Sequence, residues 1–203
     1  DAHWWIETIE RGGKIVVIAP EYSPSSQKAD YWIPIRPGTD PALQLGVTNV
    51  LFKEKLYDEP FVKRFTDMPL LVRMDTLKLL RAADVFLNYE NQELKGYSVT
   101  VQKIDPEARE QWGDFVVWDA KTKKPVAVTR EDVGKYVDEK GLYPTLDGSF
   151  TVKDPKGKQI KVKTVFRLYK ELCSEYDLKT TYEITGAPEE LITRLARDLG
   201  GMK

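Results

Sequence analysis

Cysteine and histidine are almost absent from this chain, and long apolar runs are missing altogether. Its 203 residues include one cysteine, Cys173, and one histidine, His3. A single cysteine excludes an internal disulfide and any cysteine cluster that binds zinc or iron and sulfur. No apolar run approaches the roughly 20 residues that a membrane-spanning helix requires. We therefore expect no metal site made by this chain alone and no direct insertion into a membrane.

An excess of charge of one sign is also lacking. Lys and Arg number 31 and Asp and Glu number 32, so the formal net charge is −1. A chain with almost no net charge is not attracted as a whole to nucleic acid or to an anionic membrane. Many lysines lie in the same region as Trp112 and Trp118, and such a mixture of basic and aromatic residues can bind single-stranded nucleic acid. The interspersed acids favour a solvated surface instead, and we expect no nucleic-acid partner.

The overall composition is that of an ordinary globular protein. Hydrophobic residues make up 41% of the chain and charged residues 31%, which is typical of folded domains and not of disordered or fibrous chains. The length favours one domain, or one domain that carries an elaborate insertion. Because the chain starts at Asp1, without methionine and inside an amphipathic pattern, we expect it to be a piece of a longer protein.

The most informative pattern lies in the first quarter of the chain. Consecutive β-branched residues over 14–19 predict a buried parallel strand, and residues 31–35 predict a second short strand after a turn-rich loop. A helix is predicted from about residue 40 to residue 55. In open α/β sheets, ligands bind beyond the carboxyl ends of the strands, so we expect Glu21, Tyr22, Arg36 and Asp40 to gather at one edge. The predicted fold class is therefore α/β, with a Rossmann-like parallel sheet flanked by helices and a β-hairpin-rich insertion.

Hairpin patterns dominate the middle of the chain. Residues 115–118 and 125–128 predict one hairpin. Residues 149–153 and 159–163 predict a second hairpin, because turn residues over 154–158 separate two alternating strands.

Helix patterns return near the end, over 164–175 and over 188–199, and Leu191, Leu195 and Leu199 form an apolar stripe on the second of them. We accordingly predict three segments: an α/β segment over 1–95, a β-hairpin-rich insertion over 96–165, and a helical return to the α/β domain over 166–203.

Three polar residues follow the first predicted strand and are candidate ligand contacts. Glu21 occupies the position where dinucleotide-binding folds keep an acid for ribose hydroxyls, although a solvated loop acid is equally compatible with the pattern. Tyr22 either stacks on a base or covers the sheet edge. Ser23, Ser25 and Ser26 are candidate hydroxyl donors to phosphate, and serines in a loop are also ordinary turn formers.

Three further candidates follow the second predicted strand. Arg36 is a candidate phosphate partner or an exposed arginine at a strand end, and Gly38 lies in the bend that opens the helix. Asp40 has two competing roles: a helix N-cap, which the pattern favours, or an acceptor for two N–H groups of guanine. Gly46, inside the predicted helix, indicates that a neighbouring backbone passes close by.

Catalytic motifs are missing. The sequence contains no Gly-x-Gly-x-x-Gly, phosphate loop, Gly-x-Ser-x-Gly or His-Glu-x-x-His, and no nucleophile with a partnered base. Cys173 fits a small core hydrophobe. We therefore assign no catalytic residue and no metal ligand, and we expect this 203-residue piece alone not to be catalytic.

Seven short stretches form a distinctive combination along the chain. They are Asp1-Ala2-His3-Trp4-Trp5, Val17-Ile18-Ala19-Pro20-Glu21-Tyr22, Lys28-Ala29-Asp30, Arg36-Pro37-Gly38-Thr39-Asp40-Pro41-Ala42-Leu43, Leu56-Tyr57-Asp58, Phe65-Thr66-Asp67-Met68-Pro69-Leu70-Leu71 and Thr185-Gly186-Ala187-Pro188. Together they resemble the catalytic subunit of the dimethyl sulfoxide reductase family of molybdenum enzymes. The nitrate reductase-like branch fits best; it includes nitrate reductase alpha subunits, nitrite oxidoreductase, and perchlorate, chlorate and selenate reductases. The likeness covers nearly all 203 residues, is specific over 1–73 and is loose over 96–165.

This resemblance implies a bis(molybdopterin guanine dinucleotide) cofactor with molybdenum in the parent enzyme, with segment 1–95 holding the guanosine end of one pterin. Asp40 matches the aspartate of the family's Gly-Thr-Asp motif, which contacts guanine. Glu21 matches the acid of the Pro-Asp-Tyr version found in nitrate reductases. Many relatives have Asp-Pro-Arg here, with Ala19 and Glu21 replacing the Asp and the Arg. That departure supports the assignment to the nitrate reductase-like branch. It weakens the transfer of the exact ribose contacts from those relatives to this chain.

The resemblance also implies that this chain is an internal fragment of a nitrate reductase-like oxidoreductase that exchanges oxygen with an oxyanion. The family's cluster cysteines, molybdenum-ligand region and C-terminal pterin-binding domain have no counterpart in these residues. Expected partners are the remainder of the catalytic subunit and an iron–sulfur electron-transfer subunit, with the iron–sulfur clusters outside this chain. A periplasmic or membrane-associated respiratory complex is favoured over a free cytoplasmic protein. The alternative hypothesis is a free-standing nucleotide-binding or partner-docking module without redox activity.

Overall fold

The computed structural model describes residues 2–94 and 105–201, which form two compact units of mixed α/β structure. The first unit comprises residues 1–57 and 170–203, and the second comprises residues 58–169. The predicted mixed α/β class is confirmed. The segments predicted from the sequence divide the chain at other positions, after residues 95 and 165, and stay a prediction. Asp1 and residues 95–104, where the predicted insertion begins, lie outside the described residues.

Short helices and short strands alternate along the described chain. The α-helices are α1 Ala2–Glu10, α2 Asp40–Glu54, α3 Glu59–Phe65, α4 Pro106–Trp112, α5 Lys135–Glu139, α6 Val165–Ser174, α7 Leu178–Thr185 and α8 Glu189–Gly200. The strands are β1 Val16–Ile18, β2 Tyr31–Ile33, β3 Leu71–Arg73, β4 Phe115–Asp119, β5 Lys124–Val128, β6 Ser149–Lys153 and β7 Gln159–Thr164. Short 3₁₀ helices occupy Ser26–Lys28 and Ala82–Asp84.

The first unit is built on the parallel pair β1–β2, with helices α2, α7 and α8. Val16 pairs with Tyr31 and Ile18 with Ile33, so both strands leave the sheet at the same edge. The apolar side chains of α2 at positions 43, 47 and 50 are buried with Ile33 in one core cluster, as their helical spacing predicts. Among the described residues the parallel sheet has these two strands; the extended Rossmann-like sheet stays a prediction.

Helix α8 buries a different stripe from the one the sequence predicts. Leu191, Leu195 and Leu199 recur at helical spacing, yet Leu199 is 45% exposed. Ile192 and Ala196 are fully buried instead, with Leu195 between them. The core-facing stripe is therefore rotated by about one residue from the leucine stripe.

Glycine follows helix α1 and turns the chain. Gly12 has φ +80, and its N–H donates to the carbonyl of Ile9 at 2.9 Å. Only glycine adopts this left-handed conformation at little cost, so the chain turns here towards β1.

Both predicted hairpins lie in the second unit and are confirmed. Strands β4 and β5 pair antiparallel from Phe115 with Val128 to Asp119 with Lys124. Strands β6 and β7 pair antiparallel in the three-stranded sheet β3-β7-β6. The rings of Trp118 and Phe150 stack with centroids 4.2 Å apart.

A buried ion pair fixes helix α4 to the start of β4. Asp114 is 1% exposed, and its Oδ1 accepts a hydrogen bond from Arg109 Nη2 at 2.6 Å. Its Oδ2 accepts hydrogen bonds from the Tyr89 hydroxyl at 2.7 Å and the Gln92 amide at 2.8 Å. Burial, reinforced by the bond to Asp114, raises the pKa of Tyr89 to about 12. One carboxylate thus joins two chain segments that are far apart in sequence.

Candidate functional site

The loops that carry the predicted ligand residues leave the β1–β2 pair at its carboxyl edge. Ala19 extends the pairing by one residue, because its N–H donates to the carbonyl of Ile33 at 3.2 Å. Glu21 lies three residues beyond Ile18, and Arg36 lies three residues beyond Ile33. Since Ile18 and Ile33 are paired, the two loops leave the same edge. The predicted convergence of the two loops at one strand edge agrees with this register.

The loop after β1 presents one acid and one aromatic ring to solvent. Glu21 is exposed, and Tyr22 is 59% exposed with its ring edge-on to Trp32, at a centroid distance of 5.5 Å. Trp32 Nε1 in turn donates to the carbonyl of Ala19 at 2.9 Å. Tyr22 therefore rests on β2 and keeps most of its ring accessible.

The serines of this loop take unequal positions. Ser23 is half-buried, and its carbonyl accepts a hydrogen bond from the Ser26 amide at 2.8 Å. Ser26 is only 3% exposed, and its hydroxyl has no hydrogen-bond partner among the described residues. A buried hydroxyl does not reach an external phosphate, so of the three candidate serines Ser23 and Ser25 are the accessible ones.

A tight turn follows β2 and leads directly into α2. The Thr39 amide donates to the carbonyl of Arg36 at 3.3 Å, and Gly38 has φ +77. Pro37 and Gly38 occupy the two central positions, the arrangement of a type II turn, which requires a residue with positive φ at its third position. A Cβ on Gly38 would have no atom within 4 Å. Backbone conformation therefore requires glycine here, and the space beside it is open.

Asp40 is not the N-cap of α2. Thr39 is the N-cap, and its carbonyl accepts hydrogen bonds from the amides of Ala42 and Leu43. Asp40 is the first helical residue; its carboxylate is exposed and has no capping bond among the described residues. The sequence prediction was wrong by one position because Thr and Asp both cap helices and proline is tolerated throughout the first turn. The carboxylate is consequently not occupied by its own helix.

Arg36 already has partners within the protein. Its Nη1 donates to the carbonyls of Glu183 at 2.6 Å and Ile184 at 2.9 Å, at the end of α7. The sequence gives no sign of this contact, because the partners lie 147 and 148 residues away.

Two carboxylates hold the strands of this unit in place, and neither was a predicted site residue. Asp30 accepts a hydrogen bond from the Ile15 amide at 2.7 Å, which closes the start of the β1–β2 pair. Asp198 accepts bonds from Lys14 Nζ at 2.5 Å and from the Tyr31 hydroxyl at 2.9 Å. These bonds, that of Lys14 foremost, hold the pKa of Asp198 below its usual value, while burial raises the pKa of Tyr31 to about 12. In the sequence, the structural role of Asp30 is indicated only by its position between two predicted strands.

Several pockets lie in the second unit. Cavities of about 260, 310 and 660 Å³ lie within residues 58–169, and none of the six predicted ligand residues lines them. Within residues 2–94 and 105–201, no group of three or more His, Cys, Asp or Glu is arranged to hold a metal. No helix in the described part is long and apolar enough to cross a membrane. The candidate site is thus an open sheet edge with oxygen and aromatic groups.

The residues present fit a guanine base at this edge. Asp40 offers an exposed, uncapped carboxylate, and the neighbouring Gly38 leaves room for a ligand to approach the backbone. A carboxylate accepts two parallel N–H bonds from guanine, which adenine does not supply.

Comparison with known proteins gives concordant relatives over nearly the whole chain. No protein-family model matches the sequence. The chain is 36% identical over 209 residues to the perchlorate reductase subunit alpha of Dechloromonas aromatica strain RCB, covering 100% of this chain and 22% of that protein. It is 35% identical over 191 residues to the dimethylsulfide dehydrogenase subunit alpha of Rhodovulum sulfidophilum, covering 92% and 18%. It is 32% identical over 198 residues to the respiratory nitrate reductase subunit alpha of Haloferax mediterranei, covering 98% and 19%.

A solved structure, acetylene hydratase from Pelobacter acetylenicus, aligns with a TM-score of 0.41 and 20% identity over 94% of this chain and 13% of that one. The chain spans about a fifth of the length of the alpha subunits it matches. At 30–36% identity over nearly all of the chain, the similarity to four alpha subunits confirms the resemblance. The chain therefore belongs to the dimethyl sulfoxide reductase family of molybdenum enzymes, as the counterpart of one segment of their alpha subunits.

Proposed function

We propose that this chain holds the guanosine end of a molybdopterin guanine dinucleotide within a larger, nitrate reductase-like molybdenum oxidoreductase. The proposal depends on the carboxylate of Asp40, which is exposed and makes no capping bond to its own helix. It lies next to Gly38, beside which there is open space, and follows the carboxyl edge of a parallel strand pair. Such edges are the usual ligand position of α/β sheets. In the parent, the β1–β2 pair is the edge of a longer Rossmann-like sheet completed by other segments.

Each proposed contact follows from the position of its residue. Asp40 accepts the two N–H groups of guanine, Glu21 accepts hydrogen bonds from ribose hydroxyls, and Tyr22 covers the ribose or base with its exposed ring. Ser23 donates to phosphate, and Gly38 lets the backbone approach the base. Arg36 lies at the same sheet edge, three residues beyond β2.

The parent supplies what this chain lacks. A bis(molybdopterin guanine dinucleotide) provides oxygen-atom exchange at molybdenum, with oxyanions as the substrate class. Iron–sulfur clusters outside this segment and an iron–sulfur subunit carry the electrons, in a periplasmic or membrane-associated respiratory complex. This chain alone contributes binding and orientation of the cofactor's nucleotide end.

Nucleotide titration of the 203-residue protein tests the proposal. Amide chemical shifts are followed by NMR as GMP, IMP or AMP is added. We expect weak binding, because the chain provides one side of the site, with GMP about tenfold tighter than AMP and IMP between them. Tenfold corresponds to about 1.4 kcal/mol, the size of one hydrogen bond to a charged group.

Asp40→Asn removes the double acceptor and should abolish the preference for GMP. Asp177→Asn is the matched control: it is a helix-start aspartate of the same unit whose carboxylate is already engaged by the Thr180 amide. Equal affinity of the wild-type protein for GMP and AMP would contradict the proposal. Micromolar affinity of the isolated chain would instead favour a free-standing nucleotide-binding module.

A further inference from the structure

Arg36 lies between the proposed guanine site and the end of helix α7. Its Nη1 donates to the carbonyls of Glu183 at 2.6 Å and Ile184 at 2.9 Å. Its main-chain N–H donates to the carbonyl of Thr185 at 2.8 Å. The last carbonyls of a helix lack partners within the helix and carry partial negative charge, so a guanidinium is a favourable cap for them. Arg36 therefore fastens the end of α7.

On its other side, Arg36 closes the turn that presents Asp40. The carbonyl of Arg36 accepts hydrogen bonds from the Thr39 hydroxyl at 2.7 Å and the Thr39 amide at 3.3 Å. Asp40 follows at once as the first residue of α2. The path of the backbone into Asp40 is thus set by the residue that also caps α7.

Helix α7 packs closely against α2. A Cβ built on Gly46 would lie 2.3 Å from Thr181 Oγ1, which shows how closely the helices approach. Asn49 Nδ2 also donates to the carbonyl of Tyr176 at 2.9 Å. The cap at the end of α7 is consequently fixed with respect to α2, and the turn before α2 is tied to that cap.

Gly186, which follows the last residue of α7, lies beside the guanidinium of Arg36. It has φ +76, and a Cβ there would lie 3.8 Å from Arg36 Cζ. The Thr-Gly-Ala-Pro stretch at 185–188 and the Arg-Pro-Gly-Thr-Asp stretch at 36–40, far apart in sequence, are thereby in contact.

We propose that Arg36 is a positioning residue of the guanine site: it holds Asp40 in place by tying the turn over 36–39 to the end of α7, and it does not contact phosphate. The inference rests on the proposed function and replaces the phosphate contact that the sequence suggests for Arg36. Arg36 Nη1 already donates to two carbonyls, which places the guanidinium at the end of α7. A residue that binds phosphate affects only nucleotides that carry a phosphate. A residue that positions Asp40 affects every ligand that carries guanine, so the two roles can be separated.

Comparison of guanosine with GMP separates the two roles. In Arg36→Ala we expect the affinities for guanosine and GMP to fall by the same factor, about fivefold, with a smaller preference for guanine over adenine. The ratio of the GMP and guanosine affinities should not change. Arg36→Lys, which retains a donor and a charge, should recover part of the loss. Arg197→Ala removes an equal charge in the same unit, from a pair with Glu54, and should change neither affinity.

A loss confined to GMP, with guanosine binding unchanged, would overturn the proposal and make Arg36 a phosphate ligand. A second measurement is independent of nucleotides: hydrogen exchange in the free protein. Arg36→Ala should speed exchange of the Thr39 and Gly186 amides about fivefold relative to Arg197→Ala. If wild-type protein binds no guanine compound, the proposed function fails and the exchange rates alone decide the positioning role. Unchanged exchange would refute that role whatever the nucleotides do.

Discussion

Asp40 and Asp177 occupy similar places at the starts of two helices of one unit, yet their carboxylates are used differently. Asp177 is the N-cap of α7, and its Oδ1 accepts a hydrogen bond from the Thr180 amide at 2.7 Å. Asp40 follows its N-cap, Thr39, and makes no such bond among the described residues. One aspartate therefore serves the fold, and the other is available to a ligand. The distinction depends on a single position along the chain.

Asp177 should make folding sensitive to acid. Hydrogen bonds from Thr180, that of its amide foremost, hold the pKa of Asp177 below its usual value. A lowered pKa in the folded state means stability that is present above the unfolded pKa of about 3.9 and lost as pH falls through the folded value. Asp177→Asn keeps an oxygen acceptor at all pH values, so its stability at pH 7 should stay close to wild type and fall less between pH 5 and pH 3. Urea unfolding at these pH values measures the difference.

Asp177→Ala provides the comparison, because it loses the cap and should be less stable than the Asn variant at pH 7 and pH 5. The prediction is wrong if Asp177→Asn loses as much stability in acid as the wild-type protein does.

At the scale of elements, the contact between α2 and α7 depends on the absence of a side chain at Gly46. Alanine is favoured over glycine inside a helix by about 1 kcal/mol. A Cβ at this position would nevertheless meet Thr181 at 2.3 Å from Oγ1 and 2.6 Å from Cγ2. Gly46→Ala should therefore destabilise the protein, by about 1–3 kcal/mol, as is typical of an overpacked core. Urea denaturation followed by circular dichroism gives the free energy of unfolding.

A double-mutant cycle identifies the cause. Thr181→Ala removes both nearest atoms, so Gly46→Ala should cost less in that background than in the wild type. Additive effects of the two changes, within about 0.5 kcal/mol, would show that the helices are not in the close contact seen here.

Elements with strong local signals were predictable from the sequence, and elements that depend on distant partners were not. Helix α2 has caps and apolar residues at helical spacing, and both hairpins have turn residues between alternating strands. Helix α7, of sequence LKTTYEIT, has no continuous apolar stripe; its Thr181 is buried only because Gly46 admits it. The close approach at Gly46 was predicted, but the neighbour is a side chain and not a backbone.

The candidate site shows the same division. Strand order and parallel pairing predicted that the loops carrying Glu21 and Arg36 leave one sheet edge, because pairing fixes where both strands end. The engagement of Arg36 by α7 was not predictable, since its partners follow the whole of residues 58–169 in the sequence. Whether these residues bind a nucleotide stays a prediction.

At the scale of the whole molecule, the two units have separate cores. One buried cluster, with Ile33, Leu43 and Ile192, is drawn entirely from the first unit. Two others, one around Leu71 and one around Phe115, are drawn entirely from residues 58–169. A segment with its own buried apolar clusters meets the main requirement for independent folding. The chain thus combines a nucleotide-binding candidate with an inserted unit that does not contribute to the core of the first.

Residues 58–169 expressed alone should therefore fold. The segment keeps Asp58, which caps α3 by accepting a hydrogen bond from the Phe61 amide at 3.0 Å, and it keeps the buried Arg109–Asp114 pair. We expect dispersed amide resonances and one cooperative urea transition, since small single domains usually unfold in two states. Leu71→Asp places a charge in a fully buried position and serves as an unfolded control. If the unsubstituted segment shows amide resonances as poorly dispersed as those of the control, the inserted unit depends on the first unit for its folding.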